Sequence, residues 1–252
     1  MIAAKKGQEP EGLKQLREGK LTAGLSPKEQ FDELKNPLKK EVLDCLLQDQ
    51  GGLCVYCMSR IPVPLGKRDP GIVATSIEHF IPLDLPGGKD VGQALDYQNL
   101  FAVCHGNMKS RKSGVRRAKM DDLTCDKHRG NAAFRKIDPL RGETMETIFY
   151  KMTGEIDAED PDIQYDLTVT LNLNCPTSPL VRERQAALDS LLADVGVVDN
   201  ADLLEYCKSR LEAFCEEGNP KTPYVGILMW YLRSLISALI ISQNDCESSP
   251  SL

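Results

Sequence analysis

The pair Cys54-Val-Tyr-Cys57 constrains this chain more than any other feature. Two thiolates at that spacing form a tight knuckle that turns both sulfurs toward one tetrahedral ion, and Gly51 and Gly52 just before it supply the flexibility. Nine cysteines stand among 252 residues. No N-terminal stretch joins a charged start to the apolar run of a secretory signal, so the chain is expected in the cytoplasm, where thiols stay reduced and bind metal rather than pair. The two further ligands that a tetrahedral site needs are Cys104, closing an expected strand, and Cys125, opening an expected helix. Asn107 stands where a compact second knuckle would carry its cysteine. Either Cys125 has taken that place after an insertion, the reading preferred here, or the site is incomplete. Four thiolates leave no coordination position for a substrate, so the expected Zn²⁺ is structural. Cys45, Cys175, Cys207, Cys215 and Cys246 lack metal-binding spacing and read as small buried residues.

A 41% apolar content over this length suits one large domain or two small ones. A net charge of -6 argues against a surface that coats nucleic acid as a whole, because phosphate binding needs clustered Lys and Arg. One such cluster exists. Lys109, Arg111, Lys112, Arg116, Arg117 and Lys119 fall in a stretch with no acidic residue, a local footprint for phosphates. It holds no aromatic side chain, so base stacking is not indicated there. The apolar run from Tyr224 to Ile241 carries Arg233 at its middle, where insertion in a bilayer costs roughly 2.5–3.5 kcal/mol. It reads as a buried terminal helix, and no membrane partner is expected.

Residues 1–27 are rich in Lys, Glu and Gly and read as a flexible, extended or partly disordered arm that docks on a partner. Ser26 is placed as an N-cap, with Pro27 as first helical residue and Glu29 in the first turn. A helical pair broken near Pro37 then runs to about Gln50, with Val42, Leu43, Leu46 and Leu47 as its apolar stripe. Val73 to Ile81 and Tyr97 to Cys104 read as strands joined by a loop containing Pro86-Gly87-Gly88, and Cys125 to Ile137 as a helix. A hairpin-like stretch to Thr170 and helices near 179–195, 200–216 and 222–242 follow. The fold class is α+β, divided into the arm at 1–27, a central domain with its helical lead-in at 28–140, and a mainly helical region at 141–252.

All three histidines lie in the central part. Ile77-Glu78-His79-Phe80-Ile81-Pro82 would end the first strand and Asp96-Tyr97-Gln98-Asn99-Leu100 would open the second, so that a hairpin holds His79 opposite Asn99. Asp126-Lys127-His128-Arg129-Gly130 then places a carboxylate at a helix start. From Cys54 to about Asn131 this order resembles the HNH, or ββα-metal, nuclease family, in which an Asp-His or Glu-His pair ends the first strand, an Asn lies on the second and the helix adds a metal ligand. The family's second knuckle leads directly into that ligand and a Lys-Gly or similar pair, as Cys125-Asp126 leads to Arg129-Gly130.

The resemblance implies a zinc-braced ββα-metal core embedded in a mainly helical chain, with hydrolysis of phosphodiester bonds in DNA or RNA. His79 resembles the general base, Glu78 and Asp126 the ligands of a catalytic Mg²⁺ or Mn²⁺, and Asn99 the residue that orients the base; His128, Asn131 and His105 stand as alternatives to Asp126. Further marks, Glu9-Pro10, Gln50, Cys104-His-Gly-Asn107 and Leu171-Asn-Leu-Asn174 ahead of Arg182 or Arg184, are similar to the PtuB-like nucleases of Septu and retron-associated antiphage systems. That branch implies an ABC or SMC-type ATPase as partner, and a retron reverse transcriptase with its RNA-DNA. Two other readings compete: a zinc-ribbon module that binds nucleic acid without cutting it, and a stand-alone homing or restriction-type HNH endonuclease.

Overall fold

In a computed structural model the described residues are 1–61, 75–83, 93–107 and 119–247. They form a mixed α+β structure, mostly helical, with two small hairpins and a buried four-cysteine cluster that could bind zinc. The buried apolar side chains make one continuous cluster that runs from Met1 to Leu232.

The first 27 residues depart from the expected arm. Helix α1 spans Glu11–Glu18, with Leu13 fully buried and Leu16 packed against the core. Gly12 lets it approach closely, because a Cβ there would lie 2.7 Å from a methyl of Leu38. The Thr22 hydroxyl donates to the Leu16 carbonyl at 2.9 Å, and the Ala4 N–H donates to the Pro139 carbonyl at 2.8 Å. Two leucines three residues apart are a narrow stripe, sparse enough for a polar segment to read as unstructured. Helix α2 (Pro27–Asp32) opens at the expected N-cap, Ser26, which forms a capping box with Glu29. Helix α3 (Leu38–Asp49) buries Val42, Leu46 and Leu47 and leaves Leu43 half-buried. Gly51 at φ +65 and Gly52 at φ +69 turn the chain out of it; a side chain on Gly51 would also collide with Lys221, 2.4 Å away.

Strands β1 (Ser76–His79) and β2 (Leu100–Val103) pair antiparallel, in the register that sets Ile77 against Ala102, Glu78 against Phe101 and His79 against Leu100. Both are shorter than the expected strands. Tyr97–Asn99 is a 3₁₀ turn instead, started by the Asp96 carboxylate accepting from the Gln98 N–H at 3.0 Å. Val73 and the Pro86-Gly87-Gly88 loop lie outside the described residues. Gln50, buried, stands in for a strand residue along β2. Its side-chain amide donates to the Ala102 carbonyl and accepts from the Ala102 N–H, both at 2.8 Å, while also donating to the Leu53 carbonyl at 2.8 Å. This bolts the knuckle to the sheet.

Helix α4 (Cys125–Arg129) is five residues long, where the sequence predicts a helix to Ile137. Gly130 at φ +54 ends it. The chain beyond is then claimed by Asp166, whose buried carboxylate accepts backbone N–H bonds from Arg135, Lys136 and Ile137 at 2.9–3.0 Å. Strands β3 (Ile148–Tyr150) and β4 (Ile156–Ala158) form the second hairpin. Helix α5 (Pro161–Tyr165) continues into a π-helical turn, Asp166–Thr170. That turn is the platform for α4: the Leu171 carbonyl accepts from the Cys125 N–H at 2.8 Å, and the Thr170 carbonyl lies 3.1 Å from His128 Nδ1.

Helices α6 (Leu180–Val195), α7 (Leu203–Glu216) and α8 (Val225–Glu247) complete the chain near the expected positions. The expectation of a wholly buried last helix holds only for its first half. Val225, Ile227, Leu228, Met229 and Leu232 are buried, whereas Ile240 and Ile241 are exposed. By length and composition Val225–Asn244 is apolar enough to cross a membrane. Among the isolated cysteines Cys175 and Cys207 are buried and Cys45 is half-buried, but Cys215 is exposed.

Because Asp166 satisfies three backbone donors with one buried charge, Asp166→Ala is expected to cost at least ~3 kcal/mol of stability by leaving those donors unpaired. Urea denaturation of both proteins measures it; a loss under ~1 kcal/mol would show that water replaces the carboxylate.

Candidate metal centre and the adjoining carboxylate–histidine cluster

The knuckle folds through local bonds: the Cys54 N–H donates to the Ser59 carbonyl at 3.0 Å and the Met58 N–H to the Cys54 carbonyl at 2.9 Å. Cys104 follows β2 directly. The insertion after it closes at its base, where the Thr124 N–H donates to the Gly106 carbonyl at 3.1 Å and the Asn107 amide donates to the Asp122 carbonyl at 2.6 Å. A Cβ on Gly106 would lie 2.0 Å from the Thr124 carbonyl oxygen, so glycine alone permits this closure. Cys125 thus follows Gly106 in space as the second cysteine of a knuckle would in sequence, and Asn107 ties the insertion together instead of facing the metal.

The sulfurs of Cys54, Cys57, Cys104 and Cys125 all lie within 4.8 Å of one another, with Cys57 and Cys104 at 3.7 Å. A tetrahedron of Zn–S bonds of ~2.3 Å has edges of about 3.8 Å, so the donor set fits this ion. The Ser59 hydroxyl lies 3.1 Å from Cys57 Sγ and the Gly106 N–H donates to Cys104 Sγ at 3.4 Å, the outer bonds that a thiolate ligand requires. Bonds from Cys104, Cys125 and Cys54 hold the Cys57 thiol well below its usual range. Burial pushes Cys54 up, and the bonds with Cys104, Cys54 and Cys57 push Cys125 up. A divalent cation bound there would displace the thiol protons. Among the described residues no other group of three or more His, Cys, Asp or Glu side chains is gathered this closely.

Beside the quartet, Glu78 and His79 end β1 and Asp126 begins α4. The Glu78 and Asp126 carboxyl groups are in hydrogen-bonding contact. Burial first, and then the Asp126 carboxyl, push Glu78 up to about 9 against the pull of Arg129 and Lys127. Burial also opposes the charge on Asp126, but its bonds with Glu78 and Lys127 and the charge of Arg129 outweigh it and hold Asp126 below the usual carboxylate range. Two touching carboxyls share one proton, and a cation bound by both would displace it. Asp126 also pairs with Lys127 at 2.6 Å.

His79 is 9% exposed. Its Nε2 lies 2.9 Å from the Ala94 carbonyl, which can only accept, so Nε2 carries the proton and Nδ1 the lone pair. Burial lowers its pKa, keeping the ring neutral. Phe31 of α2 packs edge-on against the ring at a centroid distance of 4.5 Å.

Asn99 takes a different part from the one expected. His79 faces Leu100, and the Asn99 amide donates to the Ile81 and Gln93 carbonyls at 3.1 Å each and accepts from the Ile81 N–H at 2.7 Å. Its donors are fully engaged, so it fixes the turn that carries Ala94, and the Ala94 carbonyl orients the imidazole. Of the alternatives to Asp126, His128 is held by Thr170 and Asn131 is exposed. His105 is half-buried, and burial lowers its pKa. Lys119 is exposed; Lys109, Arg111, Lys112, Arg116 and Arg117 lie outside the described residues.

Two residues at the site are given no role by the sequence. The guanidinium of Arg129, with a fully buried side chain, donates to Glu78 Oε1 at 2.5 Å, to the Tyr56 hydroxyl at 3.1 Å, and to the carbonyls of His79, Phe80 and Ala132 at 3.2, 2.5 and 2.8 Å. Its guanidinium carbon sits 4.2 Å from the Phe134 ring centroid. Tyr56, inside the knuckle, also reaches Glu78 Oε1 at 3.4 Å. The signal for Arg129 was its place three residues after Asp126, on the same helix face.

Compared with known proteins, the chain matches no family model and no curated protein.

Purified protein is expected to hold one zinc ion per chain. Cys57→Ser should drop the content below stoichiometric and lower the thermal midpoint by about 10 °C, the shift that ~3 kcal/mol produces in a chain of this size. Elemental analysis with a melting curve decides it, and a fully stable protein free of zinc would contradict the assignment.

Proposed function

We propose that this chain is a metal-dependent HNH-type endonuclease that hydrolyses phosphodiester bonds in DNA or RNA. The observation that carries the reading is a neutral imidazole whose Nε2 is committed to the Ala94 carbonyl, standing next in sequence to a carboxyl that touches a second carboxyl. A base with its lone pair on Nδ1 can take the proton of an attacking water. Glu78 and Asp126 offer the oxygen donors that Mg²⁺ or Mn²⁺ prefers. Such a cation, when bound there, supplies positive charge to the scissile phosphate and the leaving oxygen. The chain's own groups do the rest: Ala94 sets the tautomer, Asn99 holds the turn bearing Ala94, and burial keeps His79 uncharged. The order β1, β2, α4 with a cysteine frame supports a ββα-metal core.

The similarity to the PtuB-like branch extends the proposal to an antiphage effector acting with an ABC or SMC-type ATPase, and with a retron reverse transcriptase where one is present. Several of its marks have physical work at this site: Gln50 bolts the knuckle to β2, Gly106 closes the insertion, and Leu171 holds Cys125.

One observation favours the binding-module reading. His79 is nearly enclosed by protein, so substrate reaches the ring only if a neighbour such as Phe31 gives way. Helix α2 contributes no buried residue, which makes its displacement inexpensive.

Cleavage of mixed DNA and RNA with Mg²⁺ or Mn²⁺, alone and with a genetically neighbouring ATPase, separates the two readings. His79→Ala is expected to lower the rate at least ~100-fold with zinc retained. Nucleic-acid binding without cutting under every condition would favour the module.

A further inference from the structure

We propose that Arg129 is the positioning residue of this centre, a claim that rests on the nuclease reading for its consequence and on the geometry for its content. A buried guanidinium normally neutralises one carboxylate, and this one does more. Three of its five contacts meet the strand end that carries the site, at Glu78 Oε1 and the carbonyls of His79 and Phe80; Nη1 shares its two hydrogens among Glu78, His79 and the Tyr56 hydroxyl, and Nε returns to the Ala132 carbonyl. Arg129 itself rides on α4, three residues after Asp126. One side chain therefore sets the distance between the helix that brings one carboxylate and the strand that brings the other, together with the histidine.

Two consequences follow. Glu78 Oε1 is taken by Arg129 and Tyr56, which fixes the orientation of the carboxyl that meets Asp126. The carbonyls of His79 and Phe80 accept from the same guanidinium, so the backbone at His79 cannot rotate without breaking bonds to Arg129. The stack on Phe134 fixes the guanidinium from its face. Lysine could replace the charge and one of these bonds, but not the planar fork.

The test compares Arg129→Lys, Arg129→Gly and Phe134→Leu with wild type. Phe134→Leu keeps every ligand and bond donor and removes the ring under the guanidinium with its contacts to Phe80 and Tyr56, so it serves if the arginine variants fail to fold. With zinc retained, Arg129→Lys is expected to lower kcat about 100-fold with KM within about threefold, the size of effect that a displaced reacting group produces. Guanidinium added to Arg129→Gly should restore about tenfold, and Phe134→Leu should lower kcat about fivefold, each as the direction in which a loosened fork acts. Wild-type kcat in Arg129→Lys, or in Phe134→Leu where the arginine variants do not fold, would overturn the proposal. So would losses that track zinc content and melting temperature with no guanidinium rescue. If wild type cuts nothing, the nuclease reading falls. Carbethoxylation of the histidines, read by mass spectrometry, then decides the positioning claim without any activity. His79 should react severalfold faster in Arg129→Lys or Phe134→Leu, measured against His105 in the same sample, and an unchanged ratio would overturn it.

Discussion

Four sulfurs within 4.8 Å of one another join parts of the chain that no sheet or helix joins: the knuckle after α3, the end of β2 and the start of α4. The β1–β2 hairpin has four paired residues on each strand and α4 has five residues, so neither is long enough to define a geometry unaided. Tetrathiolate coordination of an ion would supply the missing rigidity, and the backbone has a shape that suits it. Cys125 accepts φ +55, unusual for a residue with a side chain, and the Leu171 carbonyl holds it there.

What the cluster fixes, the neighbouring polar groups refine. Asp166 draws the chain after Gly130 against the π-helical turn, and that turn supports α4 from below. Arg129 then ties α4 to β1 at the level of Glu78. Each of these is a buried charge whose bonds reach backbone from a distant segment. Buried ions seldom add net stability but they exclude other arrangements, and here they hold the helix start that carries Asp126 against the strand end that carries Glu78 and His79.

Much of this was legible in the sequence where one residue type at one spacing has a single physical use. The N-cap at Ser26 with Pro27 behind it, the glycine turn after α3 and the quartet through Cys125 are of that kind. Positions whose meaning depends on a partner far along the chain were not. A helix to Ile137 is reasonable from residues 125–137 alone, and nothing local announces that Asp166 will claim three of their amides. The same holds for Asn99. Strand register can bring an amide near His79 but cannot say whether it will turn to the ring or to the adjoining turn, and two backbone carbonyls won. Arg129 is legible only as part of a Lys-Gly-like pair, its role hidden until Glu78 and Tyr56 are seen to converge on it, and the first 27 residues read as an arm because two buried leucines are a weak signal among so many polar neighbours.

The central claim is that a cysteine-bound zinc frame presents a second, oxygen-lined cation site at Glu78 and Asp126. Electron paramagnetic resonance of zinc-loaded protein titrated with Mn²⁺ tests it most directly, with Glu78→Gln as the comparison. One Mn²⁺ bound per chain, weakened at least tenfold in Glu78→Gln while zinc stays in place, is the predicted result. Mn²⁺ binding that is absent, or indifferent to Glu78, would contradict it.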